Sequence, residues 1–123
     1  MAEMLFVADT LDFTEDQGDT FRVQLQWADE HEVRVPLVGY TARMQIRTSA
    51  DSEDVVHELT TENGGITLVD TTSEETISLF ISAEDTAAIE AGSYKYDLEM
   101  VDADGAVTKI IKGKFKLVAE VTK

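Results

Sequence analysis

One stretch of the chain decides the fold: residues 92–101 read GSYKYDLEMV. From Tyr94 to Met100 an apolar side chain stands at every second position, and a charged side chain fills each position between. Successive side chains of a β-strand point to opposite faces, so this pattern predicts a strand with one buried and one solvent-exposed face. A strand that is covered on one side only is typical of an antiparallel β-sandwich.

The same alternation recurs along the chain and predicts an all-β domain. It is present in residues 20–27, where Gln26 falls on the polar face, and in residues 40–47, 77–81 and 114–121. Shorter candidate strands lie at residues 4–8, 33–37, 55–60, 66–69 and 106–112. The apolar positions predict a core with the following members mostly buried: Phe21, Val23, Leu25, Tyr40, Met44, Ile46, Ile77, Leu79, Ile81, Tyr96, Leu98 and Phe115.

Turn and helix signals separate these runs. Asn63-Gly64-Gly65 and Asp102 to Gly105 predict turns, and Pro36 predicts an edge strand or a strand end because proline cannot donate to a ladder. Residues 83–90 predict a short helix, with Ser82 as its N-cap and Gly92 at its end. We therefore expect a single domain, residues 1–123, that folds as a β-sandwich of about seven or eight strands with one short helix. A small barrel is the alternative.

The composition agrees with one folded domain. The chain has 123 residues, of which 43% are hydrophobic and 7% aromatic, too many for general disorder. It carries 25 Asp and Glu against 10 Lys and Arg, a formal net charge of −15, which repels phosphate groups. We therefore expect no nucleic acid and no membrane among its partners. Neither a basic, apolar signal peptide nor a run of roughly 18 apolar residues is present, so a soluble compartment is expected.

No catalytic constellation is recognisable. Cysteine is absent and no serine lies in a G-x-S-x-G motif, which leaves no candidate nucleophile for a hydrolase. His31 and His57 lack the spacing of a zinc site. Asp102 and Asp104 form a fragment of a calcium-loop motif, and residues 12–19 hold four carboxylates, but solvated turns explain both. We expect no catalytic residue, no cofactor and no metal, and hence a protein that is not an enzyme; a weak calcium site is the alternative.

The basic residues are unevenly placed. Five of the ten lie in the last fifteen positions. One interpretation is edge protection, because lysines on an edge strand discourage unwanted strand pairing. The other is a basic stripe on an acidic body, which suits docking on an acidic surface of a neighbouring protein. The candidate partner contact consists of Lys109, Lys112, Lys114 and Lys116, with Asp12, Asp16 and Asp19 of the preceding acidic loop as its counterpart.

Five segments occur in an order that resembles a known family. They read QGDTF at residues 17–21, GYTARMQIR at 39–47, TENGGITL at 61–68, ISAEDTAAI at 81–89 and AGSYKYDLEM at 91–100. Together they resemble small structural proteins of tailed bacteriophages, and in particular the N-terminal immunoglobulin-like domain of phage baseplate upper proteins. In that family a GDT strand start precedes a GYT strand, and an AG-x-Y-x-Y-D strand precedes a final hairpin.

The resemblance implies an immunoglobulin-like sandwich and a virion protein that is assembled in the host cytoplasm. Baseplate upper proteins continue into a helical or fibrous section, whereas this sequence ends at Lys123. The implied role is therefore an adaptor in the tail, neck or baseplate, present in many copies of a symmetric assembly, that docks other virion proteins or fibres. The alternatives are a capsid decoration protein and a non-viral adhesion or carbohydrate-binding module, for which Trp27 and Tyr94 are the aromatic residues to check.

Overall fold

The structure, a computed structural model, describes residues 5–6, 10–28, 31, 33–49, 51–71 and 74–121. Nine strands and one helix occur among them. In chain order they are β1 (Leu5–Phe6), β2 (Phe13–Asp16), β3 (Phe21–Gln26), β4 (Thr41–Arg47), β5 (Val55–Thr60), β6 (Ile66–Thr71), β7 (Glu74–Ile81), α1 (Ala83–Ala88), β8 (Gly92–Val101) and β9 (Val107–Val118).

The strands form two sheets that pack face to face. One sheet has four strands in the order β1-β3-β7-β6, and the other has five in the order β2-β9-β8-β4-β5. β1 pairs with β3, and β2 with β9, in parallel; the other neighbours are antiparallel. The predicted all-β, immunoglobulin-like sandwich with one short helix is confirmed. Residues 13–16, interpreted above as part of an acidic loop, form a strand, which adds to the expected number.

β8 is the middle strand of the five-stranded sheet, and its pairing organises both faces of that sheet. It pairs along seven residues with β4 and along all ten of its residues with β9. The register aligns Met44, Leu98 and Ile111 across the three strands, and all three side chains are buried. A slip of one residue would turn this row towards solvent, so the core fixes the register.

An aromatic cluster joins the two sheets inside the sandwich. Phe21 of the four-stranded sheet meets Phe115 of the five-stranded sheet edge to face, with 5.2 Å between the ring centroids. Phe13 of β2 packs against Phe21 and Tyr96 at 5.3 Å each. Such pairs contribute about 0.5–1.5 kcal/mol each beyond the burial of their area. The short strand β2 is therefore an integral part of the core.

Ten of the twelve side chains expected in the core are buried. The other two, Val23 and Tyr40, are half-buried and pack against it. Gln26, expected on the polar face of its strand, is buried and only 4% exposed. Gln26 pairs with Phe6 of β1, so at this point β3 has a further strand beside it in the four-stranded sheet. The alternation within residues 20–27 does not indicate this neighbouring strand.

The strand predicted at residues 33–37 is wrong. This segment is a loop that makes one isolated bridge, between Arg34 and Ala28. Pro36 lies exposed within the loop rather than in an edge strand or at a strand end, and Leu37 inserts into the core from it. Of the strand predicted at residues 4–8, residues 5–6 form β1 and the others lie outside the described residues.

Residues 106–112 and 114–121 were expected as two strands, and this is also wrong. One strand, β9, runs continuously from Val107 to Val118. The pairing with β8 shifts by one residue between Leu98 and Glu99, and both Ile110 and Ile111 are buried. This β-bulge changes the phase of the alternation within the strand, so its two halves resemble separate strands in the sequence.

The predicted helix is confirmed with a shorter span. The Ser82 side chain accepts the backbone N–H of Asp85 at 3.1 Å, as expected of an N-cap. The helix ends at Ala88, because Ile89 has extended backbone, and Gly92 belongs to β8. Since β7 and β8 lie in different sheets, α1 carries the chain across one end of the sandwich.

Replacing Leu98 or Leu25 by alanine should lower the free energy of unfolding by about 2–5 kcal/mol, because both side chains are almost completely buried and their loss leaves a cavity. Denaturation in urea measures the change. Val38→Ala, at a position that is 78% exposed, is the control and should shift the value by less than about 0.5 kcal/mol. Equal effects at Leu98 and Val38 would contradict this core.

Candidate functional site: a basic groove on the five-stranded sheet

The outer face of the five-stranded sheet carries a row of three cations. Arg47 of β4 pairs with Lys95 of β8, and Lys95 pairs with Lys114 of β9. Neighbouring strands lie about 4.8 Å apart, so the three basic side chains leave the sheet side by side. Like charges directly opposite each other destabilise a sheet, which makes this row unfavourable for the free domain.

The next two rows of the same face are balanced, unlike the first. In one, Asp97 stands opposite Lys112, and its carboxylate also lies 3.3 Å from the ammonium of Lys109 in the row beyond. In the other, the guanidinium of Arg43 lies 2.8 Å from Glu99. Among the described residues, no carboxylate forms an ion pair with Lys95, Lys114 or Arg47. The first row, with the carboxylate of Asp12 on the backbone N–H of Lys114 at its end, therefore keeps an excess of cations over carboxylates.

Arg47 is fixed in place by neutral partners. Its guanidinium donates to the backbone carbonyl of Ser52 at 2.6 Å and to the side-chain carbonyl of Gln45 at 2.6 Å. These bonds hold the side chain at the edge of the row and leave its charge unbalanced. Lys95 and Lys114 are exposed and keep the freedom to reach a ligand.

The row lies in a groove of about 500 Å³. Its lining residues are Thr10, Asp12, Gln45, Arg47, Ser49, Lys95, Tyr96, Asp97, Lys109, Lys112, Gly113 and Lys114. Five of the ten basic residues of the chain and two carboxylates belong to this set, a formal charge of +3. Because the whole chain carries −15, the remainder carries −18. The basic groove is thus a local reversal of charge, suited to a ligand that bears several carboxylates.

Residues 10–12 form one wall of the basic groove. The backbone N–H of Leu11 donates to the carbonyl of Lys112 at 2.9 Å, and the carboxylate of Asp12 accepts the N–H of Lys114 at 2.9 Å. The hydroxyl of Tyr96 donates to the carbonyl of Leu11. Burial, and secondarily the charge of Asp12, raises the pKa of Tyr96, so this hydroxyl stays protonated.

The wall depends on a glycine. A Cβ added to Gly113 would lie 2.1 Å from the carbonyl oxygen of Leu11. Only the absence of a side chain lets the backbone of residues 10–12 lie against β9 at this point. Gly113 therefore determines the shape of the basic groove without contributing charge to it.

The structure separates the predicted contact residues into two places. Lys109, Lys112 and Lys114 line the basic groove, and so does Asp12, which was expected in the opposing acidic surface. Lys116 is exposed on the same strand but does not line the groove. Asp16 and Asp19, the other acidic candidates, are exposed beyond it, at the end of β2.

Edge protection is the wrong interpretation of Lys112, Lys114 and Lys116 in β9. The part of β9 that carries them lies between β8 and the segment of residues 10–16, so it is not a sheet edge. β2 pairs with it from Phe115 to Val118, and Thr10 bridges to Lys112. An incoming strand could add to this part of β9 only by displacing β2, so a partner that uses the lysines contacts side chains on the face of the sheet.

The sequence reasoning missed Arg47 and Lys95. Both alternate with buried residues, so their outward direction could be predicted. Their position beside Lys114 depends on the pairing of β4, β8 and β9, which the alternation does not specify.

The fragment of a calcium-loop motif at Asp102 and Asp104 forms an ordinary hairpin turn. The side chain of Asp102 accepts the backbone N–H groups of Asp104 and Ala106 at 2.9 Å each, which closes the hairpin turn. In the part of the chain that the structure describes, no group of three or more His, Asp or Glu side chains is arranged to hold a metal. No helix in the same part has the length and apolar character of a membrane span.

Comparison with known proteins shows no family. No family model and no curated protein matches the chain. Among solved structures, CopC from Methylosinus trichosporium OB3b is 13% identical over 83% of this chain and 79% of its own, with a TM-score of 0.42. Murine CRIg is 12% identical over 92% and 93%, with a TM-score of 0.39. Extracellular domains 3–5 of Drosophila OTK are 14% identical over 90% and 33%, with a TM-score of 0.36. Similarity at this level does not indicate a shared function.

Gly113→Ala should lower the free energy of unfolding by about 1–3 kcal/mol, because the new methyl group displaces residues 10–12 from β9. Hydrogen exchange at the amide of Lys114, which donates to Asp12, should accelerate as the wall detaches. Gly92→Ala in β8 is the matched control, since its nearest atom lies 3.9 Å away. If Gly113→Ala changes stability and amide exchange no more than Gly92→Ala does, residues 10–12 do not lie this close to β9.

Proposed function

We propose that this protein is a non-enzymatic structural adaptor of a tailed-bacteriophage particle, located in the tail, neck or baseplate, and that it docks other virion proteins through the basic groove. The observation that carries the docking role is the row formed by Arg47, Lys95 and Lys114, in which three cations stand side by side without an ion pair to a described carboxylate.

The electrostatics support a protein partner that presents carboxylates. An anionic ligand in the basic groove relieves the repulsion among the three cations. The free energy that this repulsion costs the free domain is therefore recovered when the ligand binds. A nucleic acid or an anionic membrane also bears negative charge, but each extends far beyond the groove and would meet the −18 of the remaining surface. A compact acidic segment avoids this repulsion.

The phage assignment draws its support from the sequence. The five ordered segments, from QGDTF at residues 17–21 to AGSYKYDLEM at residues 91–100, resemble the N-terminal domain of baseplate upper proteins. That resemblance implies a platform on which many copies act together. Individually weak contacts between exposed charges then hold the adaptor by multivalency.

The aromatic residues give no support to the carbohydrate-binding alternative. Trp27 is half-buried and packs edge to face on Tyr40, with 5.5 Å between the ring centroids. Tyr94 is buried, and its hydroxyl donates to the carbonyl of Glu90. Trp27 thus packs within the domain, and Tyr94 offers almost no exposed surface on which a sugar could stack.

Particles purified from the phage that encodes this chain should contain the protein, as measured by mass spectrometry, and immunogold labelling should place it on the tail, neck or baseplate. Lys114→Glu should reduce the amount incorporated, because it reverses one charge of the row. Lys116→Glu is the matched control, since Lys116 lies two residues away on the same strand and outside the basic groove.

The two parts of the proposal fail separately. Absence of the protein from purified particles would refute the phage role. Normal incorporation of Lys114→Glu, in a protein with unchanged stability, would refute docking through the basic groove. Attachment should also weaken as salt is raised, because added salt shortens the range of attraction between exposed charges, which is about 8 Å at physiological ionic strength.

A further inference from the structure

One end of the sandwich is strongly acidic. It consists of the turn after β2, the helix α1 with the residues that follow it, and the segment after β9. The carboxylates at this acidic end belong to Asp16, Asp19, Glu84, Asp85, Glu90 and Glu120. Five of the six are exposed, and none forms an ion pair with a described basic residue.

The acidic end is held in shape by hydrogen bonds among its three segments. The fully buried hydroxyl of Thr86 in α1 donates to the carbonyl of Asp19 at 2.7 Å and accepts the N–H of Gly18 at 3.0 Å. The amide side chain of Gln17 donates to the carbonyl of Ile89 at 2.8 Å and accepts the N–H of Glu120 at 3.1 Å. The carboxylates are thus carried on a preorganised surface, which limits the entropy lost on docking.

The two charged features of the chain are complementary in sign. The basic groove has unpaired cations on the face of the five-stranded sheet, and the acidic end has unpaired carboxylates at the ends of its strands. They lie on different surfaces of one molecule, so a second copy can supply what the first one lacks.

We propose that the acidic end of one copy docks in the basic groove of the next, so that the protein associates head to tail. The proposal rests on the proposed function in one respect, that the basic groove is a docking surface, and it names a second copy of this chain as the neighbouring virion protein that the groove binds. The contact is heterologous, because each copy contributes a different surface, and it therefore propagates into a ring or a helical array.

The geometry favours a turn at each contact. The lysines and Arg47 of the basic groove stand on the outer face of the sheet, whereas the acidic end lies where its strands begin and end. The strands of successive copies therefore run roughly perpendicular to each other. This arrangement suits a closed or helical array better than a straight stack.

Opposing charge effects keep the contact weak in solution. Each copy carries −15, so two copies repel each other at long range. At physiological ionic strength this repulsion is screened beyond about 8 Å, whereas groups in direct contact are screened much less. Association should therefore be detectable at high protein concentration and moderate salt.

The test is a charge exchange between two variants. The groove variant, Lys95→Glu with Lys114→Glu, makes the basic groove acidic. The end variant, Asp19→Lys with Glu90→Lys, makes the acidic end basic. Each should self-associate about tenfold or more weakly than the wild type by sedimentation, because each juxtaposes like charges. An equimolar mixture should recover association, since every contact between the two variants again joins opposite charges.

Three results would overturn the head-to-tail contact. They are a wild-type protein that stays monomeric at the highest concentration examined, a groove variant that associates like the wild type, and a mixture that fails to recover association. Circular dichroism of each variant establishes that it is folded before the comparison. Absence of the protein from particles would refute the proposed function and would leave this result unaffected.

The absence of native cysteine allows a second measurement that preserves every charge. Ser49→Cys places a thiol in the lining of the basic groove, and Ala87→Cys places one on the exposed side of α1. Mixed under mild oxidation, the two should form a mixed disulfide dimer. Ala103→Cys, in the hairpin at the opposite end of β8, is the control partner for Ser49→Cys. Equal cross-linking with Ala87→Cys and Ala103→Cys would overturn the proposal.

Discussion

The register of β8 between β4 and β9 is the constraint on which the rest of the structure depends. One alignment of three strands places Met44, Leu98 and Ile111 in the core and sets Arg47, Lys95 and Lys114 side by side on the opposite face. Side chains alternate strictly along a strand, so neither row can shift without the other. Burial of the apolar row therefore enforces the proximity of the three cations.

This coupling explains how an unfavourable charge arrangement persists in a stable domain. Opposed like charges disfavour pairing by a fraction of a kcal/mol up to about 1 kcal/mol, whereas loss of one buried leucine costs about 2–5 kcal/mol. The core therefore outweighs the repulsion and holds the row in place. The three side chains therefore leave the sheet at positions that are fixed before binding. Gly113 and the wall of residues 10–12 add shape to this arrangement.

Much of the fold could be predicted from the sequence, because the alternation in residues 92–101 and 40–47 reports directly which side chains are buried. Two features of the fold could not be predicted from the sequence. The bulge in β9 changes the phase of the alternation, and β2 is too short and too acidic to be recognised as a strand. The part of the candidate site that lies on β9 could also be predicted.

The lysines of β9 were recognised from their spacing, but their neighbours Arg47 and Lys95 are distant in the sequence and become adjacent only through strand pairing.

Chemical labelling of lysine amines, with mass spectrometry of the labelled residues, tests the docking surface most directly. It compares the free protein with the protein in the phage particle in which we propose that it assembles. The account predicts that Lys95, Lys112 and Lys114 react in the free protein and become protected on assembly, whereas Lys116, outside the basic groove on the same strand, remains reactive. Unchanged reactivity of the three groove lysines, or protection of Lys116 alone, would contradict it.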